Sequence, residues 1–193
     1  DCTRSDSQSF DFYTRLIPGG DLYEQPIQEA VKLARQQFRY EGICDLNLTL
    51  SHRKRIAINR KVNLHKKPDD AVFLPCPKLK RLSQNAPQEM WVWKGLELLG
   101  CVPIGKYGVR NGVTYVVEQI AESLVHFEGG ISLTKEDTVQ MMRPSHAMTY
   151  ASVQGRETEG TLALHDCSSP HFTHKHLYVA LSRAKKASHV RVA

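Results

Sequence analysis

The sequence predicts an α/β domain built on a parallel sheet, with a small antiparallel β module set inside it. Three observations carry this. Residues 145–193 read as a polar loop, an apolar strand (Thr161 to Asp166), an uninterrupted helix (Thr173 to Lys186) and a final strand (His189 to Val192). That alternation belongs to a layered α/β domain. Between 91 and 133, short β-branched and aromatic runs are separated by Arg110-Asn111-Gly112 and Glu128-Gly129-Gly130, which are hairpin signals. The third is size, since 193 residues suffice for one sizeable core, or one core plus an inserted module.

Taken in order, residues 1–26 are polar and aromatic, with Pro18-Gly19-Gly20 marking a turn. Ile27 to Tyr40 is a helix: Ile27, Ala30, Val31, Leu33, Ala34 and Phe38 favour one side, and Gly42 stops it. Leu46, Leu48 and Leu50 alternate into a strand, and Ser51 then caps a helix over 51–59. From Ser51 to Lys67 there are seven Lys/Arg (53, 54, 55, 60, 61, 66, 67) and no Asp or Glu. Such a block suits phosphate contacts, and equally a solvated helix face. Pro68 to Pro87 is hinge-like around a short strand at Val72-Phe73-Leu74. The module follows as strands at Trp91–Trp93, Leu96–Val102, Val113–Ile120, Leu124–Phe127 and Ile131–Leu133. Trp93 and Tyr107 could stack on bases there, though both suit a core equally. The predicted division is 1–40 as an N-terminal segment and helix, 41–86 with 140–193 as the main domain, and 87–139 as the insert.

Composition narrows the classes. Hydrophobic residues make up 41%, so the chain is not compositionally disordered. No apolar run approaches a membrane span, and the first residues lack the order of a signal peptide. A net charge of +6 permits a polyanionic partner. Five widely spread Cys without Cys-x-x-Cys argue against a disulfide framework and for a reducing, intracellular setting. Cys167, His171, His174 and His176 form one close cluster without a second pair, a poor match to a zinc site. No Gly-x-Ser-x-Gly occurs, which disfavours a serine hydrolase.

On the predicted last helix, Leu177, Ala180, Leu181 and Ala184 make one apolar face, and Arg183 lies off it. An always-charged planar fork free of the core suits the charge that develops on a transferring phosphate, or simply a solvated helix end. The wider context speaks for the first reading. Ala147, Thr149, Gln154 and Gly155 keep the register Ala-x-Thr-x-His-x-x-Gln-Gly, and Tyr178-Val179-Ala180-Leu181-Ser182-Arg183-Ala184 comes after an intervening strand. Together these resemble the last two motifs of superfamily 1 helicases, in the RecD-like and Pif-like branch that moves 5′ to 3′ on DNA. The departure is Ala151, where the family usually has His.

The resemblance implies a fold and a set of residue roles. The fold would be a RecA-like parallel-sheet domain carrying a Src-homology-type barrel. Arg183 would be the arginine finger on the γ-phosphate, with Gln154, Gly155 and Glu157 beside the nucleotide. Thr149 and Ser152 would contact the nucleic-acid backbone. Ser51, His52, Lys54, Arg55 and Asn59 would do the same, since 51–59 is similar to the family's Thr-Asn-x-x-Val-x-x-Ile-Asn. ATP and Mg²⁺ would be shared with an upstream P-loop lobe, and single-stranded nucleic acid, DNA favoured, would be the partner. Gly100 to Lys106 has the Gly-x4-Gly-Lys spacing, but Tyr107 stands where a P-loop needs the Ser or Thr hydroxyl for Mg²⁺, and a hairpin comes next instead of a helix. Residues 1–193 alone are therefore expected to lack ATPase activity. Two other readings stay open: a non-catalytic nucleic-acid-binding module with a helicase-like core, and a protein-interaction domain built on the barrel.

Overall fold

The computed structural model describes residues 5–76, 87–102, 107–153 and 157–193. In chain order its first elements are α1 (Ser7–Thr14), α2 (Ile27–Gln37), β1 (Leu46–Thr49), α3 (His52–Lys66), β2 (Val72–Leu74) and β3 (Met90–Val92). Then come β4 (Glu97–Gly100), β5 (Thr114–Ile120), β6 (Leu124–Phe127), β7 (Ile131–Thr134), α4 (Lys135–Met141) and β8 (Met142–Pro144). The last are β9 (Ala147–Thr149), β10 (Leu162–Leu164), α5 (His174–Leu181), a 3₁₀ turn (Ala187–His189) and β11 (Val190–Val192). They form two compact units, residues 1–55 with 146–193, and residues 56–145.

The first unit is the parallel sheet, in the order β11-β10-β1-β9. Strands of such a sheet are buried on both faces, so they are mostly apolar. Leu48, Ala147, Leu162, Ala163, Leu164 and Val190 are fully buried. Truncating Leu48 to Ala would cost roughly 2–5 kcal/mol through lost burial and the cavity left behind. Helix α2 buries Ala30, Val31 and Ala34, and α5 buries Leu177, Ala180 and Leu181. Helix α1, absent from the sequence reading, starts on the Asp6 cap, whose carboxylate accepts from the Ser9 amide at 2.9 Å. It packs Phe12 edge-on against Phe38 and Tyr13 edge-on against Tyr178. The Pro18-Gly19-Gly20 turn is present, and Gly20 is required there, because a Cβ would stand 2.4 Å from the Arg15 carbonyl oxygen.

The second unit is antiparallel. Its five-stranded sheet has the order β7-β6-β5-β4-β8, and β2-β3 forms a separate ribbon. The hairpin signals hold: Gly112, Gly129 and Gly130 all have positive φ, and Phe127 pairs with Ile131 across the three-residue loop. Among the described residues β7 and β8 form the two edges of this sheet. Strand β8 extends the sheet beyond residue 139 by pairing Leu99 with Arg143. The core gathers Leu98, Val117, Val125, Phe127, Leu133 and Val139. Asn63 of α3 holds β3 with both halves of its amide, accepting from Trp91 N at 2.7 Å and donating to Trp91 O at 2.9 Å. Among the described residues no helix is long and apolar enough to cross a membrane.

Candidate functional site

The carboxyl ends of the parallel strands lie along one edge of the first unit. The chain leaves β1 toward β9 and leaves β10 toward β11, so successive connections diverge between β1 and β10. In open α/β sheets that divergence makes the crevice in which ligands bind. Asp166, just past β10, stands there with φ +63°, a left-handed conformation that Asp tolerates better than most residues. Its carboxylate accepts from the Leu50 amide at 2.9 Å and from Lys54 Nζ at 2.6 Å, tying the end of β10 to the start of α3. Ser51 Oγ caps that helix by accepting from the Lys54 amide at 3.2 Å.

Behind the ion pair, polar side chains link three strand ends. Asn47 donates its amide to the carbonyls of Cys44 and His146, which turns its oxygen toward His165. His165 therefore donates from Nε2 to Asn47 Oδ1 at 2.9 Å as the neutral ring. Burial and the Lys54 charge hold the His165 pKa below its ordinary value. The Tyr150 hydroxyl donates to the His165 carbonyl at 2.7 Å, and burial pushes its pKa well up. Burial likewise pushes the Cys167 thiol up to about 11. At the end of β9, Thr149 shares a hydroxyl hydrogen bond of 2.9 Å with Ser152, whose Oγ also accepts from the Thr149 amide at 3.1 Å. Thr149 is buried while Ser51 and Ser152 are exposed and Lys54 is half-buried.

Helix α5 starts at this edge and runs back to the opposite, amino edge of the sheet. It ends at Leu181, not Lys186, because Ser182 returns its hydroxyl to Val179 O and the chain tightens into i→i−3 bonds from Arg183 and Ala184. Arg183 thus stands in the turn after the helix. It is half-buried, with Nε donating to Val179 O at 3.3 Å and Nη2 to Ser182 Oγ at 3.1 Å. Its carbonyl accepts from the Thr158 amide at 3.0 Å, next to the exposed Glu157. Asp45, just before β1, secures the same edge by accepting from the Thr161 amide and hydroxyl at 2.9 and 2.8 Å.

The candidate residues accordingly separate into two groups. Ser51, His52, Lys54, Thr149 and Ser152 belong to the carboxyl edge, Glu157 and Arg183 to the amino edge. Gln154 and Gly155 lie outside the described residues. Arg55 and Asn59 are fully buried, so their side chains do not present a surface to a strand, and direct contact from either is withdrawn. Tyr107 is exposed and Trp93 is half-buried. The Cys167 cluster serves packing: His176 Nδ1 accepts from the Thr173 amide at 3.1 Å and its ring stacks on Phe172. Among the described residues no three His, Cys, Asp or Glu side chains converge as a metal site would require. Asp166, His165 and Asn47 are site residues that sequence reasoning does not find. The one signal for them is an acid directly following an apolar strand.

The family model for the viral superfamily 1 RNA helicase core domain matches residues 111–192. Solved Pif1 structures align with the whole of this chain. One is a Pif1 helicase from a study of unwinding at forked double-stranded DNA, with TM-score 0.64, 16% identity and 48% of that chain covered. Another is Bacteroides Pif1 with ADP-AlF3 and single-stranded DNA, with TM-score 0.63, 15% identity and 50% covered. A third is Pif1 from Candida albicans, with TM-score 0.63, 18% identity and 54% covered. The chain has the fold of the part of the Pif1 helicases with which it aligns. The chain spans about half the length of the Pif1 chains it matches. No curated protein sequence matches it.

Proposed function

We propose that this chain is the C-terminal motor lobe of an ATP-dependent superfamily 1 helicase that translocates on and unwinds nucleic acid, DNA in preference to RNA. The observation that carries the reading is coverage. The chain aligns over its full length with Pif1 helicases yet fills only about half of them, which suits one lobe of a two-lobe motor. In this reading the nucleotide lies between this lobe and a P-loop lobe of the same protein. Arg183 meets the developing phosphate charge, with Glu157, Gln154 and Gly155 near the nucleotide. Ser51, Lys54 and Ser152 face the strand, and Thr149 orients the Ser152 hydroxyl. His52 contributes from the first turn of α3.

The residues present fit half of a phosphoryl-transfer site. An arginine held at its backbone but carried outside the core can stabilise charge. No described carboxylate cluster suits Mg²⁺. ATP and Mg²⁺ supply the transferable phosphoryl group and its neutralisation, and the P-loop lobe would hold them. The prediction is twofold. Residues 1–193 alone should show no Mg²⁺-dependent ATPase. In the protein that joins this chain to its P-loop lobe, Arg183→Ala should lower DNA-stimulated kcat by about 10³-fold or more, while single-stranded DNA affinity changes less than about threefold. Stoichiometric turnover by the isolated chain, or full turnover by the Arg183 variant, overturns the assignment. Ala151, exposed in the turn where the family has His, favours the second reading, a non-catalytic nucleic-acid-binding module. That module would bind DNA without responding to nucleotide.

A further inference from the structure

The turn that carries Arg183 is gripped by the first described residues of the chain. The Asp6 amide donates to Lys185 O at 2.9 Å, and the Ser5 hydroxyl donates to Ala184 O at 3.1 Å. The Asp6 carboxylate then divides its oxygens. Oδ1 accepts from the Ser9 amide at 2.9 Å and caps α1, while Oδ2 accepts from the Ala187 amide at 2.8 Å, 181 residues along the chain. One side chain therefore ends two pieces of structure, the start of α1 and the 3₁₀ turn after Arg183. On the other side of that turn, Thr158 donates its amide to the Arg183 carbonyl. Tyr13 of α1 packs edge-on against Tyr178 of α5, so helix and turn are held together. Ala184 and Ala187 are buried under this contact.

We propose that Asp6 is a positioning residue for Arg183, locking the turn after the arginine to the chain that enters at residue 5. The inference rests on the helicase-lobe reading and deepens it. If the P-loop lobe precedes this segment, the connection between lobes ends on the arginine turn. Displacement of the entering chain is then felt at the guanidinium's own backbone. Burial alone would raise the pKa of the Asp6 carboxyl, but the hydrogen bonds from Ser9 and Ala187 and the nearby His189 outweigh it, so the group is held below its ordinary value. The clamp is thus ionised at neutral pH, the form in which each oxygen can accept.

The test uses the protein containing both lobes. Asp6→Ala removes both acceptors, whereas Asp6→Asn keeps one oxygen. Asp6→Ala should lower DNA-stimulated kcat by about 10- to 100-fold with KM for ATP within about threefold, the size of loss expected when a charged group is displaced by about an ångström. Asp6→Asn should recover part of that loss. Single-stranded DNA affinity should stay within about threefold for both variants, which also reports that the lobe remains folded. Ser9→Ala, which leaves the Asp6 carboxylate and its amide contacts in place, should be unchanged in kcat. The Arg183→Ala variant is measured alongside. If it loses turnover while Asp6→Ala keeps it, the clamp is not a positioning device. If Arg183→Ala keeps turnover, the helicase-lobe assignment fails first. A parallel rise in KM and loss of DNA binding in Asp6→Ala would make Asp6 merely structural and also overturn the proposal.

Discussion

Replacing Asp166 tests the carboxyl edge most directly, because its two contacts have separable values. The hydrogen bond from the Leu50 amide ends on a charged acceptor whose side chain is only 18% exposed, so it contributes about 1.5–3 kcal/mol. Lys54 is 42% exposed, and its ion pair therefore counts at the surface value of about 0–1 kcal/mol. Alanine at φ +63° adds about 1–2 kcal/mol of backbone strain that Asp largely avoids. Asp166→Ala should thus destabilise the first unit by roughly 3–5 kcal/mol. Asp166→Asn keeps an acceptor oxygen and the tolerance for this backbone, and should cost about 1–2 kcal/mol. Trp91 and Trp93 both belong to the second unit, so far-UV circular dichroism or amide exchange in urea is the proper probe, not tryptophan fluorescence. An Asp166→Ala variant within about 0.5 kcal/mol of the parent would refute this account of the edge.

The same substitution tests the proposed strand contact. In the free chain Lys54 is paired with Asp166. Asp166→Asn leaves the ammonium available to phosphate, and each added contact to single-stranded DNA steepens the log affinity–log salt slope by about 0.7. Asp166→Asn should therefore bind more tightly at low salt and lose that advantage as salt rises, while Lys54→Ala abolishes the difference. A slope unchanged by Asp166→Asn removes Lys54 from the interface. Two more outcomes concern the buried ionisable groups. His165 is held neutral in the folded state with a depressed pKa, so its contribution to stability is fully present above about pH 6.5, the unfolded value, and is lost as pH falls through the folded pKa. Melting temperature measured from about pH 7.5 down to about pH 5 should fall less in His165→Gln than in the parent, and identical slopes would contradict the buried neutral ring. Cys167, buried and shifted to about 11, should resist iodoacetamide at about pH 8 until the chain is unfolded in urea. Rapid native-state alkylation at that position, located by mass spectrometry, would contradict its burial.

The β module is legible in the sequence because local chemistry dictates it. Leu124–Phe127 is correct to the residue, and the Asn111-Gly112 and Gly129-Gly130 turns impose φ values that few other residues accept. The start of α3 is equally legible from Ser51, but its run to Lys66 is not, since a basic segment offers no apolar stripe to trace. Its buried positions are Arg55, Asn59, Val62 and Asn63, spaced i, i+4, i+7 and i+8 with only one apolar member. A helix that buries polar groups has the right period and the wrong composition, and this is why Arg55 and Asn59 look like surface residues in the sequence. Strand β9 escapes notice because Ala147-Met148-Thr149 has no strand preference of its own; pairing with β1 makes it one. Helix α1 is hidden for a related reason, as its start depends on a carboxylate that also reaches residue 187.

The arrangement of the two candidate groups bears on how the proposed lobe could work. Helix α5 separates them by eight residues, about 12 Å along its axis. A nucleotide against Arg183 would therefore leave Ser51 and Ser152 open to a second ligand, and binding at the two edges need not compete. Both edges are nonetheless built on one layer, because Leu48, Ala163, Leu164 and Leu181 are fully buried and leave it no slack. At the carboxyl edge Tyr150 packs edge-on against Phe172, immediately before α5, and at the amino edge the helix ends on Ser182 and the arginine. In the proposed reading, one helix packed into this layer runs between a strand-facing turn and a phosphate-facing turn. Under that proposal, coupling between the two ligands would draw on motion against the P-loop lobe, and the contacts best placed to register it are those of Ser5 with Ala184 and of Asp6 with Ala187.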